Sequence, residues 1–209
     1  MSRGRFITLE GGEGAGKSTQ AALLVEALRT RGLSVLLTRE PGGTAGAEAI
    51  RGLLLAPGND WSAQAEALLF AAARADHVAH AIEPALAAGQ WVVCDRFLDS
   101  SRAYQGGALA DSDLLALHEF GSSGLLPDST ILLLASDQTV AERLAARDGD
   151  QSDRIGGRPP DYHRAVASRF REFADAEPER FTVIDASGSV AEVHASILAA
   201  LTPLLEPAA

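Results

Sequence analysis

Arg5-Phe-Ile-Thr-Leu-Glu-Gly-Gly-Glu-Gly-Ala-Gly-Lys-Ser-Thr-Gln-Ala-Ala22 is the stretch that decides the fold. A short apolar run, Phe6 to Leu9, leads into Gly11-Gly-Glu-Gly-Ala-Gly-Lys17-Ser18, a full match to G-x-x-x-x-G-K-[ST]. A strand signal precedes the match and a helix signal follows it. Gly11, Gly12, Gly14 and Gly16 lack a Cβ, so the backbone can turn sharply and bring its N–H groups against a phosphate. The helix adds its positive N-terminal end to the same anion site. Lys17 can then reach the β- and γ-phosphates, and the Ser18 hydroxyl can ligate Mg²⁺. Of the 18 basic residues, Lys17 is the only lysine. The one compact, flexible ammonium thus stands where a phosphate would need it.

Outward from that loop the pattern alternates. Ala21, Leu24, Val25 and Leu28 form one apolar stripe of a helix that ends near Arg31-Gly32. Leu33 to Leu37 reads as a second buried strand. Thr44 caps a helix that Pro57-Gly58 stops. Ser62 to Gly89 reads as a long helix that Pro84 kinks or divides near Ile82. Trp91 to Cys94 is a third strand, Thr130 to Leu134 a fourth and Phe181 to Ile184 a fifth. Helices are expected over 111–120, 140–147, 161–176 and 190–205. The expectation is one doubly wound α/β domain spanning 1–209, with a mainly parallel five-stranded sheet and helices on both faces. Ligands in such folds bind beyond the carboxyl ends of the strands.

Composition narrows the function. A net charge of −10 argues against a broad basic face for DNA or RNA. No run of 18 apolar residues and no signal-peptide core is present, so a cytoplasmic protein without a membrane span is expected. The lone Cys94 allows no intrachain disulfide and reads as a buried, inert thiol.

Asp95 ends the third strand, where a carboxylate can hold Mg²⁺ across from Ser18 or else cap a turn. Arg96 beside it suits a second phosphate, since its planar fork matches phosphate oxygens. The segment 143–158 holds Arg143, Arg147, Arg154 and Arg158 among glycines and prolines. It is either a solvated loop or a lid, at about 146–160, that brings arginines to a transferring phosphoryl group. Phe70 and Arg74 lie four apart on one helix face. Spacing alone favours a core Phe with an exposed Arg there. His77 and His80 have no third partner in the pattern and read as core or surface histidines.

Several stretches together resemble the bacterial thymidylate kinases. They are Glu10-Gly-Gly-Glu-Gly-Ala-Gly-Lys-Ser18, Thr38-Arg-Glu-Pro-Gly-Gly-Thr44, Leu69-Phe-Ala-Ala-Ala-Arg74, Asp95-Arg-Phe-Leu-Asp-Ser-Ser-Arg-Ala-Tyr-Gln-Gly106, Asp153-Arg-Ile155 and Ile184-Asp-Ala186. The resemblance implies transfer of the γ-phosphoryl of ATP to dTMP, giving dTDP and ADP for dTTP synthesis, with Mg²⁺ and as a homodimer. It implies that the loop Gly11, Gly12, Glu13, Gly14, Ala15, Gly16, Lys17, Ser18 and Thr19 binds ATP, with Arg147 on the adenine side. By the same resemblance Phe70 stacks on thymine, Arg74 bonds its O4, and Ser101 and Gln105 line the base pocket. Tyr104 packs on the deoxyribose, Glu13 meets the 3′-hydroxyl, and Arg39, Arg51 and Arg96 hold the acceptor phosphate. Lys17, Arg96, Arg154 and Glu13 are the implied catalytic set, and Ser18 and Asp95 the metal ligands. The family often has Glu after Asp-Arg-Ile, where this chain has Gly156. Kinases of other nucleotides share the phosphate loop and lid. A GTPase-type switch needs an Asn-Lys-x-Asp stretch, and Asn59 is the only asparagine.

Overall fold

The computed structural model describes residues 3–148 and 154–205, and the side chains at 147 and 148 fall outside that description. In chain order the elements are β1 (Phe6–Glu10), α1 (Lys17–Thr30), β2 (Val35–Arg39), α2 (Ala45–Leu55), α3 (Ala63–His77), a π-turn over Val78–Ile82, α4 (Glu83–Ala87) and β3 (Trp91–Asp95). Then follow α5 (Leu98–Gln105), α6 (Asp111–Ser122), β4 (Ser129–Leu134), α7 (Asp137–Asp148), α8 (Pro160–Ala176), β5 (Phe181–Asp185), α9 (Val190–Ala200) and α10 (Thr202–Leu205).

The five strands form one parallel sheet in the order β2-β3-β1-β4-β5. Strand side chains alternate between two faces. Ile7, Leu9, Val93, Ile131 and Leu133 pack with Leu24, Val25 and Leu28 of α1 and Val193 and Ile197 of α9. On the other face Phe6, Val92 and Cys94 meet Val78, Ile82 and Leu86. Leu132 and Phe181 meet Val166 and Phe170 of α8 on that side. Helices therefore cover both faces, as the unbroken apolar strands require.

Several element boundaries differ from the sequence expectation, two of them for a clear local reason, and the division expected at Pro84 near Ile82 is present. The second strand starts at Val35 rather than Leu33, because the Leu33 N–H closes the end of α1 on the Leu28 carbonyl. The long helix after Ser62 widens to a π-turn ahead of Pro84, and the Glu83 N–H reaches the Val78 carbonyl. A proline ring collides with the carbonyl four residues back, and the wider turn gives that carbonyl room. The last helix breaks at Leu201 and restarts as α10 around Pro203, which has no N–H to continue the ladder. Helix α5 was not anticipated at all. Its residues are mostly polar, and the partners that hold it lie far off in the chain.

Cys94 is buried, its Sγ lies 3.0 Å from the Arg96 carbonyl oxygen, and burial pushes the thiol well above its ordinary pKa. Among the described residues no helix is long and apolar enough to cross a membrane.

Candidate active site

Everything chemical gathers at the carboxyl ends of β1, β2 and β3, around a cavity of about 730 Å³. The loop after β1 turns on Gly11, at φ 138°, where a Cβ would lie 2.4 Å from the Leu133 carbonyl oxygen. Only glycine fits a backbone so close to its neighbour. Gly16 precedes α1 in the left-handed region, so the free N–H groups of the helix start face the loop. Lys17 is buried, and its Nζ donates to the Gly12 carbonyl at 2.6 Å. Desolvation first, and the Arg96 charge second, lower its pKa to about 8.

The parallel pairing of β1 with β3 sets Asp95 beside Leu9, at the root of this loop. Ser18 Oγ donates to Asp95 Oδ2 at 2.5 Å. Asp95 Oδ1 is buried without a hydrogen-bond partner. A hydroxyl and a carboxylate with an unsatisfied oxygen suit a hard cation such as Mg²⁺. Among the described residues no cluster of three or more His, Cys, Asp or Glu side chains could hold a metal alone. A two-oxygen donor set fits Mg²⁺ that is completed by phosphate oxygens and water.

Arg96 follows with φ 71°, an unusual backbone for a residue with a side chain. Its guanidinium is held on four sides, by the Gly11 carbonyl at 3.0 Å, Ser100 Oγ at 3.1 Å, Glu13 Oε1 at 2.5 Å and the Tyr104 hydroxyl at 3.1 Å. Desolvation opposes its charge, and the neighbouring Tyr104, Glu13, Asp95 and Glu10 more than offset it. Glu10, at the end of β1, accepts from the N–H groups of Phe97 and Ser100 and from Ser100 Oγ. It therefore anchors the start of α5, the helix that presents Ser100, Ser101, Tyr104 and Gln105 to the cavity. Burial first, and Asp99 second, raise the Glu10 pKa to about 8.

The far wall comes from α3. Phe70 is half-buried on the cavity lining and Arg74 is buried beside it, the reverse of what spacing alone favours. Arg74 is buried because its polar atoms are matched. Its Nε donates to Glu40 Oε2 at 2.8 Å, and its Nη2 to Ser101 Oγ at 2.7 Å and the Phe97 carbonyl at 3.2 Å. Behind it, His77 Nδ1 meets Glu40 Oε1 at 3.1 Å and His77 Nε2 meets Thr38 Oγ1 at 2.7 Å. His77 is thus a core histidine, while His80 is exposed. Arg39 and Arg51 also line the cavity, Arg39 bonded to Glu48 and Arg51 to the Pro41 carbonyl.

Not every expected residue stands on this cavity. Arg154 is held away from the lining, donating to the Leu54 carbonyl and to Glu66, while the next residue, Ile155, lines the wall. Residues 149–153 of the expected lid and the Arg147 side chain lie outside the described residues. Arg143, to which the sequence reading assigned no role of its own, does line the cavity. It bonds the Gly14, Ala15, Ala186 and Gly188 carbonyls, so it joins the phosphate loop to the loop after β5. Glu40, Ser100 and Glu66 were also missed. The signals for them were slight: Glu40 follows Arg39, and Glu66 comes one helical turn before Phe70.

Comparison with known proteins agrees with this geometry. The family model described as Thymidylate kinase matches residues 9–197. The chain is 58% identical over 205 residues to the thymidylate kinase of Rhizorhabdus wittichii, covering 97% of this chain and 99% of that one. It is 51% identical over 212 residues to the thymidylate kinase of Rhodopseudomonas palustris strain TIE-1, covering 99% and 92%. The crystal structure of thymidylate kinase from Ehrlichia chaffeensis superposes with a TM-score of 0.77 at 31% identity, covering 96% of this chain and 100% of that one. A phosphate loop facing a buried arginine across one cavity, in a chain so closely related, leaves one conclusion: this chain belongs to the thymidylate kinase family, nucleoside monophosphate kinases that take their phosphoryl group from ATP.

Proposed function

We propose that this chain transfers the γ-phosphoryl of ATP to dTMP, the two nucleotides meeting head to head in the cavity between the phosphate loop and α3. The observation that carries the reading is the single lining shared by Gly14 to Thr19 at one end and Phe70, Arg74, Ser101 and Gln105 at the other. Main-chain N–H groups from Gly11 to Thr19 and Lys17 hold the triphosphate. Arg39, Arg51 and Arg96 hold the acceptor phosphate against charge repulsion. Phe70 stacks on the base, and Arg74, a donor only, reads a carbonyl rather than an amino group. Tyr104 and Glu13 flank the sugar. Acceptor phosphate oxygens already carry negative charge, so positioning and electrostatics suffice without a strong base.

Ser18 and Asp95 would hold Mg²⁺, which neutralises phosphate charge when bound. Arg154 supplies positive charge to the transferring group from a lid at about 146–160, and Arg147 serves the adenine side. The chain works as one domain, in the cytoplasm, as a homodimer. The test is a panel of nucleoside monophosphates assayed with ATP and Mg²⁺. dTMP should give the highest kcat/KM; a higher value for any other acceptor overturns the assignment.

A further inference from the structure

Glu66 lies outside the cavity lining, bonded on one side to a lining residue and on the other to two arginines behind the wall. It stands in the first turn of α3, four residues before Phe70 and eight before Arg74, on the same stripe. Its side chain is 6% exposed. Oε2 accepts from Arg154 Nη2 and from Arg158 Nη2, each at 2.6 Å. Oε1 accepts from Gln105 Nε2 at 3.3 Å. Gln105 lines the cavity, and its own Oε1 is buried without a hydrogen-bond partner. One carboxylate therefore joins two arginines of the expected lid to a residue of the expected base pocket.

Two guanidinium groups on one oxygen repel each other, and only an anion between them makes the arrangement stable. Other bonds align the same segment. Arg154 Nε donates to the Leu54 carbonyl, and Arg158 Nη1 to the Tyr162 hydroxyl, which donates to the Tyr104 carbonyl. Ile155 is buried with Tyr104, Val166 and Phe170.

We infer that Glu66 is a positioning residue that couples filling of the acceptor-base pocket to docking of Arg154 and Arg158. A base N–H that donates to Gln105 Oε1 polarises the amide and strengthens its bond to Glu66. The coupling is reciprocal, so docked arginines favour the base in return. The inference rests on the proposed reading of the cavity and of Arg154.

Two readouts test it separately from that reading. Trypsin cleavage of the Arg154–Ile155 bond reports docking without any turnover. In the unaltered protein dTMP slows this cleavage; in Glu66→Gln cleavage is ~10-fold faster and dTMP no longer slows it. Glu66→Asp keeps the charge and restores part of the protection. If Glu66→Gln fails to fold by circular dichroism, Glu66→Asp is measured alone, and its cleavage lies between wild type and Arg154 undocked in urea. In turnover, the KM for dTMP rises about 10-fold for Glu66→Gln, and Glu66→Gln adds little to it when Arg154→Ala is already present, since residues that act as a unit are non-additive. Wild-type cleavage with dTMP protection intact in Glu66→Gln overturns the inference, as do losses that multiply in the double variant. A normal kcat for Arg154→Ala alone overturns the catalytic reading of Arg154 instead, and leaves the cleavage test of Glu66 standing.

Discussion

Lys17 concentrates the electrostatics of the site in one proton. Burial has removed its water, so its pKa is lowered to about 8, with desolvation the larger cause and Arg96 the next. In the proposed ATP complex, triphosphate oxygens beside Lys17 restore the ammonium. ATP binding should therefore take up a proton above pH ~7.5, and ATP affinity should fall as pH rises from about 7 to 9. Calorimetry near pH 8.5 in two buffers of different ionisation enthalpy reads this directly; identical heats would reject it. Glu10 is also raised to about 8, so the same titration on Glu10→Gln isolates the lysine, and the uptake should persist. Arg74 allows a second prediction. Its Nε and Nη2 are occupied by Glu40, Ser101 and Phe97, which fixes its plane beside Phe70. Arg74→Ala should weaken dTMP binding by roughly 1–3 kcal/mol, the scale of a charged hydrogen bond, and leave ATP affinity nearly unchanged. Equal losses for both nucleotides in equilibrium binding would count against base reading.

Helix α5 is the element that makes the site, and its two faces have separate duties. One face turns Ser101, Tyr104 and Gln105 to the cavity. The other carries Asp99 and Arg102 into a buried ionic cluster. Asp99 accepts from Arg180 at 2.7 and 3.0 Å, and Arg102 spans Asp99, Asp111 and Glu177. Arg180 also donates to Thr130 of β4, so the helix is tied to the sheet. Asp99 is fully buried, and Arg180→Ala would strip it of its main partner. The expected loss is about 3–5 kcal/mol, the usual cost of a buried charge left unpaired. A thermal melt should fall by on the order of 10 °C. A melting temperature within ~2 °C of wild type would show that the cluster does not hold α5 in place. This cluster also explains why the helix escaped the sequence reading. Leu98-Asp-Ser-Ser-Arg-Ala-Tyr-Gln105 has little apolar stripe to detect, and its polar residues are buried by partners as far away as Arg180.

At the scale of the whole molecule, the two faces of α3 differ: one lines the cavity and the other exposes apolar surface. Glu66, Phe70, Arg74 and His77 turn inward. Leu68 is 55% exposed on the opposite face, and Leu53 of α2 and Phe120 of α6 are also exposed. Exposed large apolar side chains on three adjoining helices suit the proposed homodimer. The charge-introducing variant Leu68→Glu should shift sedimentation from dimer to monomer at micromolar concentration, while each chain stays folded. A wild-type protein that sediments as a monomer at that concentration would overturn the dimer.

The linear chain by itself determined the phosphate loop, the alternation of strands and helices, and the order of the motifs. These are local patterns: a glycine-rich turn between an apolar run and an amphipathic one carries its own conformational instruction. Only the tertiary structure decided that Asp95 stands beside Leu9, that Glu40 and His77 lie behind Arg74, and that Glu66 gathers Arg154 and Arg158. Glu40 is 34 residues from Arg74, and Glu66 is 92 from Arg158. A buried charge is tolerated only where a distant partner neutralises it, and a pairing across that much chain leaves no period, spacing or composition for a sequence to display.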